Sequence, residues 1–163
     1  MSGSRIPTLG PNGEGWVVGQ ILLLLGVAVS GSTELGHLSL GSPVRVGGLV
    51  AGPVLIFAGG ILVARALHDL GGSLAAVPRP KPDAALVETG IYRRIRHPIY
   101  AGLVFLALGW ALFSWSGVAL LLAVALAVVL DLKARLEERW LVARHPAYTS
   151  YRLRSNRFLP GIY

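Results

Sequence analysis

Two short polar segments carry the side chains best able to do chemistry. The first, LVETGIYRRIRHPIY over residues 86–100, gathers Tyr92, His97 and Tyr100 around a Pro98 suited to the first turn of a helix. A basic anchor does not explain these three together, and a rigid loop of this kind can hold backbone donors toward a ligand. The second, KARLEERWL over residues 133–141, sets Lys133 and Glu137 at i and i+4, so a cation and a carboxylate share one helical face. With no cysteine in the chain, thiolate nucleophiles, thiolate metal sites and disulfides are excluded. Each segment also has a plainer reading. Arg93, Arg94 and Arg96 suit a basic loop anchored on lipid headgroups. A lone histidine beside a helix start is commonly structural. An exposed Lys-before-Glu pair contributes only about 0.3 kcal/mol.

The elements that must hold these segments are membrane helices. Charged residues are 14% of the chain and apolar residues 53%, against roughly 25% charged in soluble domains, so a soluble core could not absorb the apolar surface. No charge occurs between Glu14 and Glu34, and the run from Trp16 to Ser30 predicts a first span. Ala28, Val29 and Ser30 resemble a signal-peptide cleavage site, but a charged leader region reduced to Arg5 favours a retained span. A second uncharged run lies between Arg45 and Arg65; its Gly48 and Gly52 allow a close helix approach, and Pro53 is expected to kink it. The run from Pro98 to Leu130 is too long for one crossing and is broken by Ser114, Trp115, Ser116 and Gly117, which predicts a tight helical hairpin. Its second arm should continue past Asp131 to about Val142 as a polar helix.

The prolines at 78, 80 and 82 stiffen the strap that leads into the first polar segment, and Gly90 permits a turn. Of fifteen Lys and Arg residues, six fall from Arg65 to Arg96 and seven from Lys133 to Arg157. The positive-inside rule then places both polar segments, and both termini of a four-span chain, in the cytoplasm. The net charge of +7 sits beside apolar spans, so anionic lipids rather than nucleic acid are the expected counter-charge.

The order of these motifs, LVETGIYRRIRHPIYAG, an apolar hairpin, EERWL, then Tyr148-Thr-Ser-Tyr151 and Arg157-Phe-Leu-Pro160, resembles the isoprenylcysteine carboxyl methyltransferase family and its bacterial relatives over about Leu70 to Pro160. The resemblance implies an all-α integral membrane domain spanning residues 1–163 with about four transmembrane helices. Two N-terminal spans occupy 1–67 and the catalytic core 68–163. A cytoplasmic pocket for S-adenosylmethionine is formed by the loop 68–100 with the C-terminal helix and tail. Carried over by position, Leu86, Val87, Tyr92, His97, Pro98, Ile99, Tyr100 and Glu137 match cofactor-contacting residues, with Glu138 the alternative to Glu137. Lys133 takes a substrate position held by arginine in eukaryotic members, and Ala84 and Ala85 replace polar residues found there. The second histidine-proline motif, Arg144 to Tyr148, is given no ligand role.

No general base is implied, because a sulfonium methyl is an activated electrophile and an ionised carboxylate attacks it unaided. The expected acceptor is a lipophilic or lipidated carboxylate entering from the bilayer, the setting a bacterial cytoplasmic membrane. The rivals are a phospholipid or other lipid N- or O-methyltransferase, an NADPH-dependent sterol-type reductase, and a noncatalytic membrane protein.

Overall fold

A computed structural model describes residues 6–34, 43–73, 77–79, 86–159 and 161. Five α-helices account for most of them: α1 (Glu14–Glu34), α2 (Pro43–Leu70), α3 (Pro98–Ser114), α4 (Gly117–Arg144) and the short α5 (Tyr148–Arg154). Single 3-10 turns occupy Gly71–Ser73 and Gly90–Arg93. No strand occurs among the described residues. One isolated parallel bridge joins Ile95 to Asn156.

Helices α1, α2 and α4 are long and apolar enough to cross a membrane, and α3 is a shorter apolar helix of 17 residues. At 1.5 Å per residue α3 is about 26 Å long, slightly less than a hydrocarbon core of roughly 30 Å. The 28 residues of α4 exceed that thickness, so its charged C-terminal part extends beyond it. The hairpin turns where expected: Trp115 adopts a left-handed conformation at the end of α3, and the Ser116 hydroxyl accepts from the Ala119 N–H at 3.2 Å to cap α4.

Side-chain size is distributed as a bilayer requires. The interior is built largely from Ala107, Ala111, Ala119 and Ala123 with Val27, Leu126 and Leu130. Large residues such as Leu22, Val29, Val54, Phe57 and Leu121 point outward. Lipid solvates those outward groups as well as protein would, so helices associate by close backbone approach.

The α2–α3 seam shows this most clearly. A Cβ on Gly52 would stand 2.8 Å from the Gly109 carbonyl oxygen, and one on Gly59 2.7 Å from that of Gly102. The reciprocal positions are as tight, and Gly48 joins the same seam against Leu112. The close approach expected of Gly48 and Gly52 is therefore real, and α2 runs on through an outward-facing Pro53. Gly52→Leu should cost about 3 kcal/mol, because backbone rather than a movable side chain would have to retreat. Gly60→Leu, where a Cβ meets nothing within 4 Å, should leave the thermal midpoint in detergent unchanged. Equal midpoints for the two variants would refute the seam.

The four long helices alternate in direction. Gly59 faces Gly102 and Gly52 faces Gly109, so α2 and α3 are antiparallel. Gly26 meets Leu122 while Gln20 reaches Lys133, so α1 and α4 are too. The start of α1, the end of α2, the start of α3 and the polar end of α4 thus share one end of the bundle, and both polar segments meet there. Pro78 is fully buried at this end, and the Arg79 N–H donates to the Asn12 carbonyl at 3.3 Å, tying the strap to the N-terminal loop. Pro80, Pro82, Ala84 and Ala85 lie outside the described residues.

Candidate functional site

Asp69, on the last turn of α2, sets the entry to the first polar segment. Its carboxylate accepts the Ile91 N–H at 2.8 Å and pairs with Arg65 at 3.2 Å. Gly90 has φ +58°, and a Cβ there would run into the Asp69 carboxylate, so this turn requires glycine on both counts. Tyr92 follows, buried, and its carbonyl accepts from the Tyr151 hydroxyl of α5. Burial above all, then the negative charge of Glu137, raises the Tyr92 phenol above its ordinary range. Burial likewise pushes Tyr151 up to about 12, so near neutral pH it is the donor this bond needs.

The next residues are stitched to the tail by backbone. The Arg96 N–H donates to Asn156 O at 2.9 Å, the His97 N–H to Arg157 O at 3.0 Å, and the Asn156 N–H to Arg94 O at 2.9 Å. Pro98, fully buried, then starts α3.

Adjacent carboxylates of α4 face different partners, as a 3.6-residue repeat demands. Glu138 is 2% exposed and lies among arginines. Its Oε1 accepts from Arg96 Nε at 2.9 Å and Arg157 Nε at 3.2 Å, and its Oε2 from Arg157 Nη2 at 3.1 Å. Arg157 also pairs with Asp131 at 3.1 Å, and Arg96 Nη1 donates to the Ser155 and Arg152 carbonyls. Arg96 is therefore an interior structural cation, which corrects its reading as a headgroup anchor; Arg93 and Arg94 are exposed and fit that reading.

Glu137 belongs to another group. Its Oε2 accepts from Tyr100 Oη at 2.8 Å and lies 3.9 Å from His97 Nδ1, and its side chain is 25% exposed. His97 stacks on Tyr100 with ring centres 5.3 Å apart and planes 9° from parallel, and Phe158 of the tail tilts against its ring at 6.1 Å. His97 is buried, yet its Nε2, 3.3 Å from Glu138 Oε1 but out of line with it, has no hydrogen-bond partner among the described residues. Lys133, 4% exposed, sits 5.0 Å from the centre of the Tyr100 ring, and its Nζ donates to Gln20 Oε1 at 2.6 Å.

Of the expected residues, then, His97, Tyr100, Glu137 and Lys133 form one joined polar group. Tyr92 stands close enough to Glu137 to feel its charge. Ile99, Leu86 and Val87 are half-buried on α3 and on the segment entering the Gly90 turn. A cavity of about 270 Å³ lies nearby, but Arg79, Trp140, Ala143 and Arg144 line it rather than any expected cofactor residue. Residues 74–76 and 80–85 of the loop expected to close a pocket lie outside the described residues.

Arg157 and Phe158 stood in the tail motif without an assigned role, and Asp131, Ser155 and Gln20 were given none. For Gln20 the available signal was its isolation within an apolar run. In the second histidine-proline motif Tyr148 is fully buried, edge-on to Tyr151.

A family model described as phospholipid methyltransferase matches residues 48–147, well over half of the chain. The matched region takes in α2 from Gly48 onward, the first polar segment, α3 and all of α4 through Arg144, and leaves out α1 and α5. No curated protein matches the chain.

Proposed function

We propose that this chain, which belongs to the phospholipid methyltransferase family, uses S-adenosylmethionine to methylate the carboxylate of a lipophilic acceptor of the isoprenylcysteine kind. Membership in that family, with helices long enough to span a bilayer, makes it an integral membrane methyltransferase for lipid-like substrates. The cofactor, the acceptor and the roles of individual residues are the proposal.

The side chains present suit the amino-acid end of S-adenosylmethionine. Glu137 offers a partly exposed carboxylate held by Tyr100, complementary to an ammonium group. His97 offers a buried ring nitrogen, Nε2, that lies 3.3 Å from Glu138 Oε1 but makes no hydrogen bond among the described residues, an atom that gains from a polar ligand. Leu86, Val87, Tyr92, Pro98 and Ile99 would line the remainder of that pocket, and the whole chain would act as one domain. When bound, S-adenosylmethionine supplies a methyl group already activated on a sulfonium, so the protein's task is to align the partners and exclude water.

The observation that carries the choice of acceptor is Lys133. Its ammonium is buried next to Tyr100 and one helical turn from Glu137. A cation there suits an ionised carboxylate and repels a protonated amine. The family's description supports a second reading, methylation of a phospholipid headgroup. On either reading the acceptor enters from the bilayer. The basic clusters orient both termini and the polar end of the bundle toward the cytoplasm, most simply in a bacterial cytoplasmic membrane.

Titration of the purified chain in detergent should show saturable binding of S-adenosylmethionine and S-adenosylhomocysteine and none of NADPH. Labelled methyl should pass to an S-prenylcysteine acid in preference to phosphatidylethanolamine in vesicles. NADPH saturation without nucleoside binding would overturn the methyltransferase reading; preference for the phospholipid would overturn only the carboxylate.

A further inference from the structure

Gln20 lies six residues into α1, about 9 Å along the helix from Glu14, in a stretch otherwise apolar from Trp16 through Val29. A primary amide at such depth is costly unless bonded, and an intramembrane polar residue points to function by default. Its single described hydrogen bond reaches 113 residues along the chain to Lys133, at 2.6 Å.

The consequence lies in what this bond prevents. Lys133 and Glu137 stand one turn apart on the same face of α4, where opposite charges ordinarily close on each other. Here they are held by different neighbours: the Lys133 ammonium by Gln20 Oε1 and the Tyr100 ring, the Glu137 carboxylate by the Tyr100 hydroxyl. Among the described residues Lys133 makes no ion pair, although it is almost wholly buried. The amide carries no charge, so it restrains the ammonium without neutralising it. In a medium of low dielectric two opposite charges left to meet would cancel strongly, and neither would be available to a ligand.

We propose that Gln20 is a positioning residue that keeps Lys133 and Glu137 apart, leaving the carboxylate for the ammonium of S-adenosylmethionine and the lysine for an anionic acceptor. This rests on the methyltransferase reading given above, and it brings into the site a helix outside the region matched by the family.

S-adenosylhomocysteine, which keeps the amino-acid end of the cofactor, is a sufficient probe and needs no acceptor. Its dissociation constant would be measured by calorimetry on the full chain in detergent for Gln20→Leu, Gln20→Glu and Gln20→Leu combined with Lys133→Ala. In Gln20→Leu the released ammonium falls onto Glu137, and affinity should drop about tenfold, the scale of one charge-assisted contact. In Gln20→Glu the new carboxylate retains the lysine, and affinity should stay within about twofold of the unaltered chain. Removing the lysine as well should restore the affinity lost in Gln20→Leu. A merely structural role in an apolar span predicts the reverse order, leucine tolerated and glutamate damaging, with no rescue by the second substitution. Unaltered affinity in Gln20→Leu, that reverse order, or failure of the double variant to recover would each overturn the inference. Failure of the unaltered chain to bind the probe would instead overturn the methyltransferase reading beneath it.

Discussion

Glu138→Gln should be the most damaging single substitution in this chain, lowering stability by about 3–5 kcal/mol, the range for breaking a buried ion pair from one side. The glutamine fills the same space, so the loss measures charge rather than volume. Arg96 and Arg157 converge on this carboxylate, and Asp131 would be left to balance Arg157 while Arg96 keeps no carboxylate partner among the described residues. The damage should be local before it is global. The tail bonds by backbone to residues 94–97, and losing the Glu138 charge weakens the side-chain link that Arg157 makes from the tail to α4. Trypsin should then cut at Arg152 and Arg154 well below the global unfolding temperature. A thermal midpoint and cleavage rate matching the unaltered chain would sink this account of Glu138.

Glu137→Gln should give the opposite profile, an almost unchanged thermal midpoint without ligand and a loss of about 2 kcal/mol, roughly thirtyfold, in affinity for S-adenosylmethionine. Its carboxylate is a quarter exposed and has one strong protein donor, the Tyr100 hydroxyl at 2.8 Å, so the folded chain depends on it little. A glutamine can still accept from Tyr100 but cannot neutralise an ammonium group. The separation of the two effects is the test. If both variants lose stability alike, or both bind the nucleoside like the unaltered chain, Glu137 is not the cofactor's carboxylate.

Much of the architecture was legible because the determining signals are local. Uncharged runs located α1 and α2, and Ser114 to Gly117 marked the turn between α3 and α4, since hydropathy and turn chemistry act over a few residues. Helical spacing put Lys133 and Glu137 on one face, and the same spacing required Glu138 to look elsewhere. The glycines at 48 and 52 announced a close approach, though not against which helix.

Partner choice across the bundle was decided only by the tertiary structure. Arg96 looks like its neighbours Arg93 and Arg94 in sequence, yet it is carried inward because a bond between loop and tail turns it toward a carboxylate 42 residues away. Nothing local distinguishes Glu137 from Glu138 as the more exposed acid; that follows from Arg157, on a tail 19 residues later, occupying Glu138. Gln20 signalled its oddity by sitting in an apolar run, but its meaning required α1 to pack against α4 and bring it to Lys133. Hydropathy and helical period fix where a helix lies and which face it turns. Which charges are spent on each other and which stay open to a ligand depends on the packing of helices distant in sequence, where desolvation makes each buried charge answer to whatever partner comes within reach.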